Sequence, residues 1–155
     1  MFGELAQTPL GPISFMAGTD GIRRVVFAPL TKLKEILPCQ DYQTSWDVFH
    51  TTKRIILELN DYLEGRREAF TVKMDLQDIN DFQQRVLQAT CRIPFGSVLT
   101  YGDIARQMGQ PGAARAVGRA LGANPLPILI PCHRVIGLDH SLHGYLGGLD
   151  RKFFC

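Results

Sequence analysis

No stretch of this 155-residue chain is apolar for long enough to cross a bilayer, and the run at 126–131 falls far short of the ~20 residues a helical span needs. The opening Met1-Phe-Gly-Glu lacks the basic start and apolar run of a secretory leader. A cytosolic protein is expected, or a nuclear one in a eukaryote. Cysteine is sparse and scattered, at 39, 91, 132 and 155, with no CxxC pair. That spacing excludes a disulfide framework and a paired-cysteine zinc site, and it fits a reducing compartment. Internal repeats and low-complexity tracts are absent as well, which excludes solenoids and flexible linkers. A net charge of +2 is too small to name a partner.

What is present is ordinary globular composition, 45% hydrophobic and 21% charged, enough for one compact domain or two small ones. The charge is uneven. Residues 1–75 carry nine basic and ten acidic side chains, whereas residues 76–155 carry eight and five. A polyanion would therefore prefer the second half, by a modest margin.

In the first half, residues 8–17 and 22–27 are two β-rich runs around Gly18-Thr-Asp-Gly21. They predict a hairpin whose Asp20-Gly21 step tolerates positive φ. Phe49, Ile55, Ile56, Leu59, Tyr62 and Leu63 recur at near-helical spacing over 48–63, with Gly65 to end the helix. Residues 70–75 alternate and predict a further strand. This half concentrates no chemistry, and a supporting role is expected.

Beyond a boundary at 75–80, Phe82, Val86 and Leu87 share a helical face, with Asp81 as the expected N-cap. Thr100-Tyr-Gly-Asp103 matches a capping box, so a short helix should run to Met108. Gly109-Gln110 then turns, Pro111 suits the first position of a second helix, and Gly122 suits its C′ position. The outline is helix-turn-helix. Residues 126–131 predict a short apolar strand, and a glycine-rich tail follows at 144–148.

Arg115 and Arg119 lie four apart on that second helix, which its alanines keep slim. Such a face suits a nucleic-acid groove, although a solvated face on an ordinary helix remains open. Pro131-Cys-His-Arg134 is the sharpest chemical signal. A thiol needs a neighbouring base or cation to become an effective nucleophile at neutral pH, and His133 and Arg134 offer both. Along an extended strand, however, neighbouring side chains point to opposite faces, so a turn at Cys132 is required. A buried structural cysteine is the bland alternative. Asn124-Pro125 is expected to staple a loop. His140 and His143 form no common zinc pattern with Cys132, so a structural or exposed role is expected for both.

Several segments together carry a resemblance. They are Phe95-Gly-Ser-Val-Leu-Thr-Tyr101-Gly-Asp, Ala114-Arg-Ala-Val-Gly118, Asn124-Pro125, Ile130-Pro-Cys-His-Arg-Val-Ile136 and Gly144-Tyr-Leu-Gly-Gly-Leu149. The chain resembles the O6-alkylguanine-DNA alkyltransferases over residues 79–152, and in the N-terminal half by length and general pattern alone. The resemblance implies an α+β protein with a small supporting α/β domain over 1–76, ribonuclease H-like. A helix-turn-helix, winged-helix-like alkyltransferase domain would follow over 77–155. It implies a DNA-repair protein that flips O6-alkylguanine from duplex DNA and moves the alkyl group irreversibly onto Cys132. His133 would withdraw the thiol proton through a water. Tyr101 would crowd the phosphate and help rotate the nucleotide, and Arg115 would enter the stack in its place. Asn124 would link the recognition helix to the strand bearing Cys132. Gln110 would contact DNA, Val135 and Tyr145 would line the guanine pocket, and the Leu146 backbone would face the oxygen losing its alkyl group.

The partner implied is double-stranded DNA, entered through the minor groove, by a monomer with cooperative loading left open. No cofactor and no structural zinc are implied. Two departures carry expectations. The chain ends at Cys155, before the glutamate that usually orients the family's histidine, so Cys132 is expected to have a raised pKa and a rate that climbs with pH. Leu146 stands where serine is frequent, which would narrow the pocket. Two other classes compete: a non-catalytic binder that flags alkylguanine, which Cys132 argues against, and a Cys-His hydrolase, for which no oxyanion hole is evident.

Overall fold

The computed structural model describes residues 1–37 and 45–138. Tyr145, Leu146, His140, His143 and the glycine-rich tail lie outside the described residues, as do Cys39 and Cys155. The chain divides into two compact units, Met1–Asp75 and Leu76–Cys155. Together they make a mixed α/β protein. No helix among the described residues is long and apolar enough to cross a membrane.

The first unit is built on an antiparallel sheet of β1 (Phe2–Leu5), β2 (Ile13–Gly18) and β3 (Gly21–Val26), in that order. The hairpin of β2 and β3 is the expected one, and Gly21 at its turn has φ of +139°. A Cβ at Gly21 would stand 2.5 Å from the Lys73 carbonyl oxygen, so the close approach of that chain requires glycine. β2 is central, and Ile13, Phe15 and Ala17 are wholly buried. Two helices pack on the sheet, α1 (Leu30–Ile36) and α2 (Trp46–Leu63). Ser45 caps α2 by accepting from Val48 N, so the helix begins at Trp46, two residues before the predicted start, and Val48, Ile55, Leu59 and Tyr62 form its buried stripe. β1 and α1 had no counterpart in the sequence reading.

Residues 70–75 do not form the predicted strand. They run beside β3 through a single parallel bridge between Ile22 and Met74. The reason lies in α2. Buried Glu58 accepts from Thr71 N at 2.8 Å and Val72 N at 3.2 Å, as well as from Thr71 Oγ1 and Arg54 Nε. A carboxylate has taken the donors that a strand ladder would use. Its own desolvation would raise the Glu58 pKa, but the hydrogen bonds from Thr71, Arg54 and Val72 prevail and hold it below the usual range.

The second unit begins with α3 (Asp81–Cys91), whose cap is Asn80, accepting from Gln83 N at 2.9 Å; Asp81 is the first helical residue rather than the cap. β4 (Leu99–Thr100) leads directly into α4 (Tyr101–Gln107), which carries the expected Thr100–Asp103 capping box. α4 ends in a Schellman motif. Gly109 at φ +72° donates to Arg106 O, and Gln110 N donates to Ala105 O. α5 (Ala114–Gly122) starts three residues later than predicted. Ala113 N donates to Gln110 O, so Pro111 and Gly112 belong to the turn, and Pro111 is not the first helical residue. Gly122 is still helical, and Ala123 is the C-cap at φ −98°, so the glycine's left-handed freedom is not used. Gln83 Nε2 donates instead to the carbonyls of Ala120 and Ala123 and ties α3 to the end of α5.

Residues 126–131 are buried, but they curl back on themselves rather than forming the predicted strand. Ile130 N donates to Leu126 O at 2.9 Å, and Ile128 sits at φ +74°, a costly conformation for a β-branched residue. A one-turn 3-10 helix, Cys132–Arg134, then leads into β5 (Val135–Ile136), which pairs in parallel with β4.

Candidate functional site

Three pieces of the second unit meet at Cys132: the end of α5 with its loop, the 3-10 turn, and the start of α4. The parallel ladder places Val135 opposite Leu99 and Ile136 opposite Thr100, which holds the turn beside the first residue of α4, Tyr101. Cys132 and His133 are both buried, 7% and 6% exposed. Cys132 therefore lies on a turn, not on the strand that the resemblance implied. At three residues per turn, successive side chains point about 120° apart, so the thiol and imidazole no longer face opposite ways. This is the turn that the Cys-His pairing requires.

Asn124 organises the loop. Its Oδ1 accepts from Leu126 N at 2.9 Å, and its Nδ2 donates to Ile130 O at 3.2 Å and to Cys132 Sγ at 3.2 Å. The bond from Leu126 N–H fixes which end of the amide is oxygen, so the NH2 group must face the sulfur. A hydrogen-bond donor on the thiol favours its ionised form. The sequence predicted a staple at Asn124. It did not predict contact with the sulfur, because only the curl of 126–130 brings position 132 back to 124.

Arg134 is occupied elsewhere. Its Nη1 donates to Ile93 O at 2.9 Å, and its guanidinium lies 5.4 Å from the Phe95 ring centre. The structure thus gives it a place in the fold rather than the expected place as the thiol's cation. Tyr101 is half-buried, and its phenol pKa is pushed up, first by desolvation and then by the negative charge of the Cys132 thiolate. Tyr101 therefore stays neutral when the sulfur ionises. Cys91 ends α3, and desolvation of its sulfur also raises its pKa.

Arg115 and Arg119 are exposed on α5 and line a cleft of about 480 Å³ with Tyr101, Gly102, Gly118 and Leu138. A Cβ at Gly118 would sit 3.8 Å from the Tyr101 ring, so helix and ring are in close contact there. Gly118 and Leu138 were not predicted for this site. The i+3 spacing from Arg115 was a signal for Gly118, whereas nothing in the sequence marked Leu138. Gln110 is exposed in the turn between α4 and α5 and does not line the cleft, and Val135 is fully buried. Among the described residues, no three His, Cys, Asp or Glu side chains are grouped to hold a metal ion.

A family model described as "6-O-methylguanine DNA methyltransferase, DNA binding domain" matches residues 81–154. A methylated-DNA–protein-cysteine methyltransferase of Methanosarcina barkeri is 40% identical over 99% of this chain and 94% of that protein. One from Mycolicibacterium paratuberculosis is 52% identical over 94% of this chain and 84% of its own length. Among solved structures, Mycobacterium tuberculosis OGT in complex with DNA is 37% identical, with a TM-score of 0.77 over 97% of this chain and 87% of that one. With its buried, amide-bonded cysteine beside an arginine-lined cleft, and with this similarity along nearly its whole length, the chain belongs to the methylated-DNA–protein-cysteine methyltransferase family.

Proposed function

We propose that this chain repairs O6-alkylguanine in duplex DNA by taking the alkyl group, once and irreversibly, onto Cys132. The observation that carries the reading is the Asn124 amide on the Cys132 sulfur, in a turn adjoining the cleft of Tyr101 and Arg115. A donor aimed at a buried sulfur serves a thiolate, and a buried thiolate serves as a nucleophile.

The alkyl carbon lies inside the duplex, so the nucleotide must be turned out at a cost of a few kcal/mol. Tyr101 crowds the phosphate to drive that rotation, and Arg115 fills the vacated stack to recover part of the cost. His133 withdraws the Cys132 proton through a water. The sulfur then attacks the alkyl carbon, an S–C bond forms, and the C–O6 bond breaks. The electron pair stays with the base, which takes up a proton to become ordinary guanine. Val135 and Tyr145 line the pocket, and the Leu146 backbone faces O6. Gln110 approaches DNA from the turn between α4 and α5.

The second unit acts as a winged-helix-like reader of the minor groove, a groove poor in base information and so suited to a search independent of sequence. The first unit is a ribonuclease H-like support. The protein works as a monomer without a cofactor, in the cytoplasm, or in the nucleus of a eukaryotic cell.

Intact-mass measurement after incubation with an O6-methylguanine duplex tests this reading. One methyl group on Cys132 is expected, and none in Cys132→Ala, which should still bind the duplex within a few-fold because the thiol is a reactant. An unchanged wild-type mass with tight binding would favour the flagging protein. Methylation of Cys91 or Cys155 in the variant would overturn the acceptor.

A further inference from the structure

We propose that Arg119 is a second, separate DNA anchor of this cleft, gripping a backbone phosphate while Arg115 acts at the extruded nucleotide; this rests on the DNA-repair reading above. Both side chains are exposed on α5, and both line the cleft. Among the described residues no carboxylate lines it with them; the other described walls are an aromatic ring, glycines and short or aliphatic side chains.

Three other arginines of this unit are engaged by the fold. Arg85 donates to Met108 O, Arg106 pairs with Asp103, and Arg134 donates to Ile93 O. Among the described residues, no hydrogen bond or ion pair engages the guanidinium of Arg115 or Arg119. Two like charges four apart on one helix repel each other, so the pair burdens α5 until a polyanion lies across it.

Helix-dipole compensation is the competing explanation, since Arg119 lies in the last turn of α5. Gln83 already donates to the Ala120 and Ala123 carbonyls there, and Ala123 N to Arg119 O. That leaves little of the helix end for a guanidinium to satisfy. The spacing also fits a strand of DNA. Four residues advance about 6 Å along a helix, of the order of the distance between neighbouring phosphates on one strand. Arg119 therefore reaches a phosphate one or two nucleotides from the position Arg115 occupies, and its planar fork matches that group.

The test is the affinity of the full chain for unmodified and O6-methylguanine duplexes across a range of salt concentrations, with melting temperatures alongside. Arg119→Ala should weaken both duplexes by the same factor, lower the slope of log affinity against log salt by about one, and raise the DNA concentration at which transfer half-saturates. Arg119→Lys should keep the wild-type slope. A wild-type slope in Arg119→Ala would overturn the anchor, as would a loss confined to the damaged duplex. So would a fall in melting temperature with the slope intact, which would assign Arg119 to the helix end. If the wild-type chain itself showed no salt-dependent DNA binding, the functional reading would fail, not this inference alone.

Discussion

Both units use arginines to hold their own chain, but the second also sets two of them apart on one exposed helix face. In the first, Arg23 lies 2.9 Å from Asp75, Arg54 lies 3.0 Å from Glu58, and Arg66 lies 2.9 Å from Asp61. These cations hold the unit's own chain segments in place. In the second, Arg115 and Arg119 stand exposed on α5, and among the described residues no carboxylate lines the cleft with them. Balanced charge stabilises a fold. Unbalanced charge on an exposed helix face favours an anionic partner.

The comparison can be broken most severely at Glu58. Its side chain is 3% exposed and bound by Arg54, Thr71 and Val72. Glu58→Ala should destabilise the first unit by about 2 kcal/mol, because it leaves the buried Val72 N–H without its acceptor, while Arg54 and Thr71 can turn to water. Denaturant unfolding would show it, and the DNA affinity of the protein that remains folded should hold. A loss below about 1 kcal/mol would mean that the carboxylate is as expendable as an exposed ion pair.

Arg115→Ala probes the other side of the contrast. Transfer from duplex DNA should slow about a hundredfold, in line with the few kcal/mol that base extrusion costs. Transfer from free O6-benzylguanine, which needs no extrusion, should fall far less. Equal losses on both substrates would assign Arg115 to the fold.

Asn124→Ala should slow transfer about tenfold at neutral pH, the worth of one hydrogen bond to a charged group. A raised thiol pKa has a distinct signature: the variant's rate climbs with pH and approaches wild type in alkali. A loss that stays constant across pH would point to collapse of the 126–130 loop instead. The same profile for wild type tests whether the Cys132 thiolate is already formed at neutral pH. A flat rate from neutral to alkaline pH would mean that Asn124 and the other neighbours of Cys132 already form the thiolate.

The smallest effects are at Thr100 and Asp103. Thr100→Ala should cost about 1 kcal/mol, the usual worth of a cap. Hydrogen bonds from Thr100, joined by Arg106, lower the Asp103 pKa from 3.8 to about 2. A carboxyl lowered on folding adds stability above its unfolded pKa and loses it as pH falls through the folded one. Stability should therefore drop between pH 3.8 and about 2 for Asp103, and below 4.5 for Glu58, with Asp103→Asn flattening the lower part. Melting temperature against pH measures both.

Much of this was legible from neighbouring residues. Asp20-Gly21 announced the hairpin, Thr100-Asp103 the start of α4, and the spacing of Ile55, Leu59 and Tyr62 the buried stripe of α2. Each depends on partners a few residues away, so little chain entropy is lost in bringing them together, and local chemistry decides. α1 escaped notice because it is seven residues long and is preceded by Pro29, which offers no side-chain cap. β1 is a four-residue strand that exists only because β2 pairs with it.

Two segments with strand-like patterns, 70–75 and 126–131, became something else once distant groups competed for their backbone. Glu58 took the donors of Thr71 and Val72, and Asn124 drew Leu126 and Ile130 into one curl. Residue types alone pointed to a cysteine beside a base, a helix carrying two arginines and the Thr100 cap of α4, whereas the cap expected at Asp81 for α3 is Asn80. Folding selected which amide meets the sulfur, which arginines pair with carboxylates and which carbonyl holds Arg134. Those outcomes turn on donors and acceptors far apart in the chain. Each buried polar group must find a partner, and the winner among several candidates is set by packing in three dimensions.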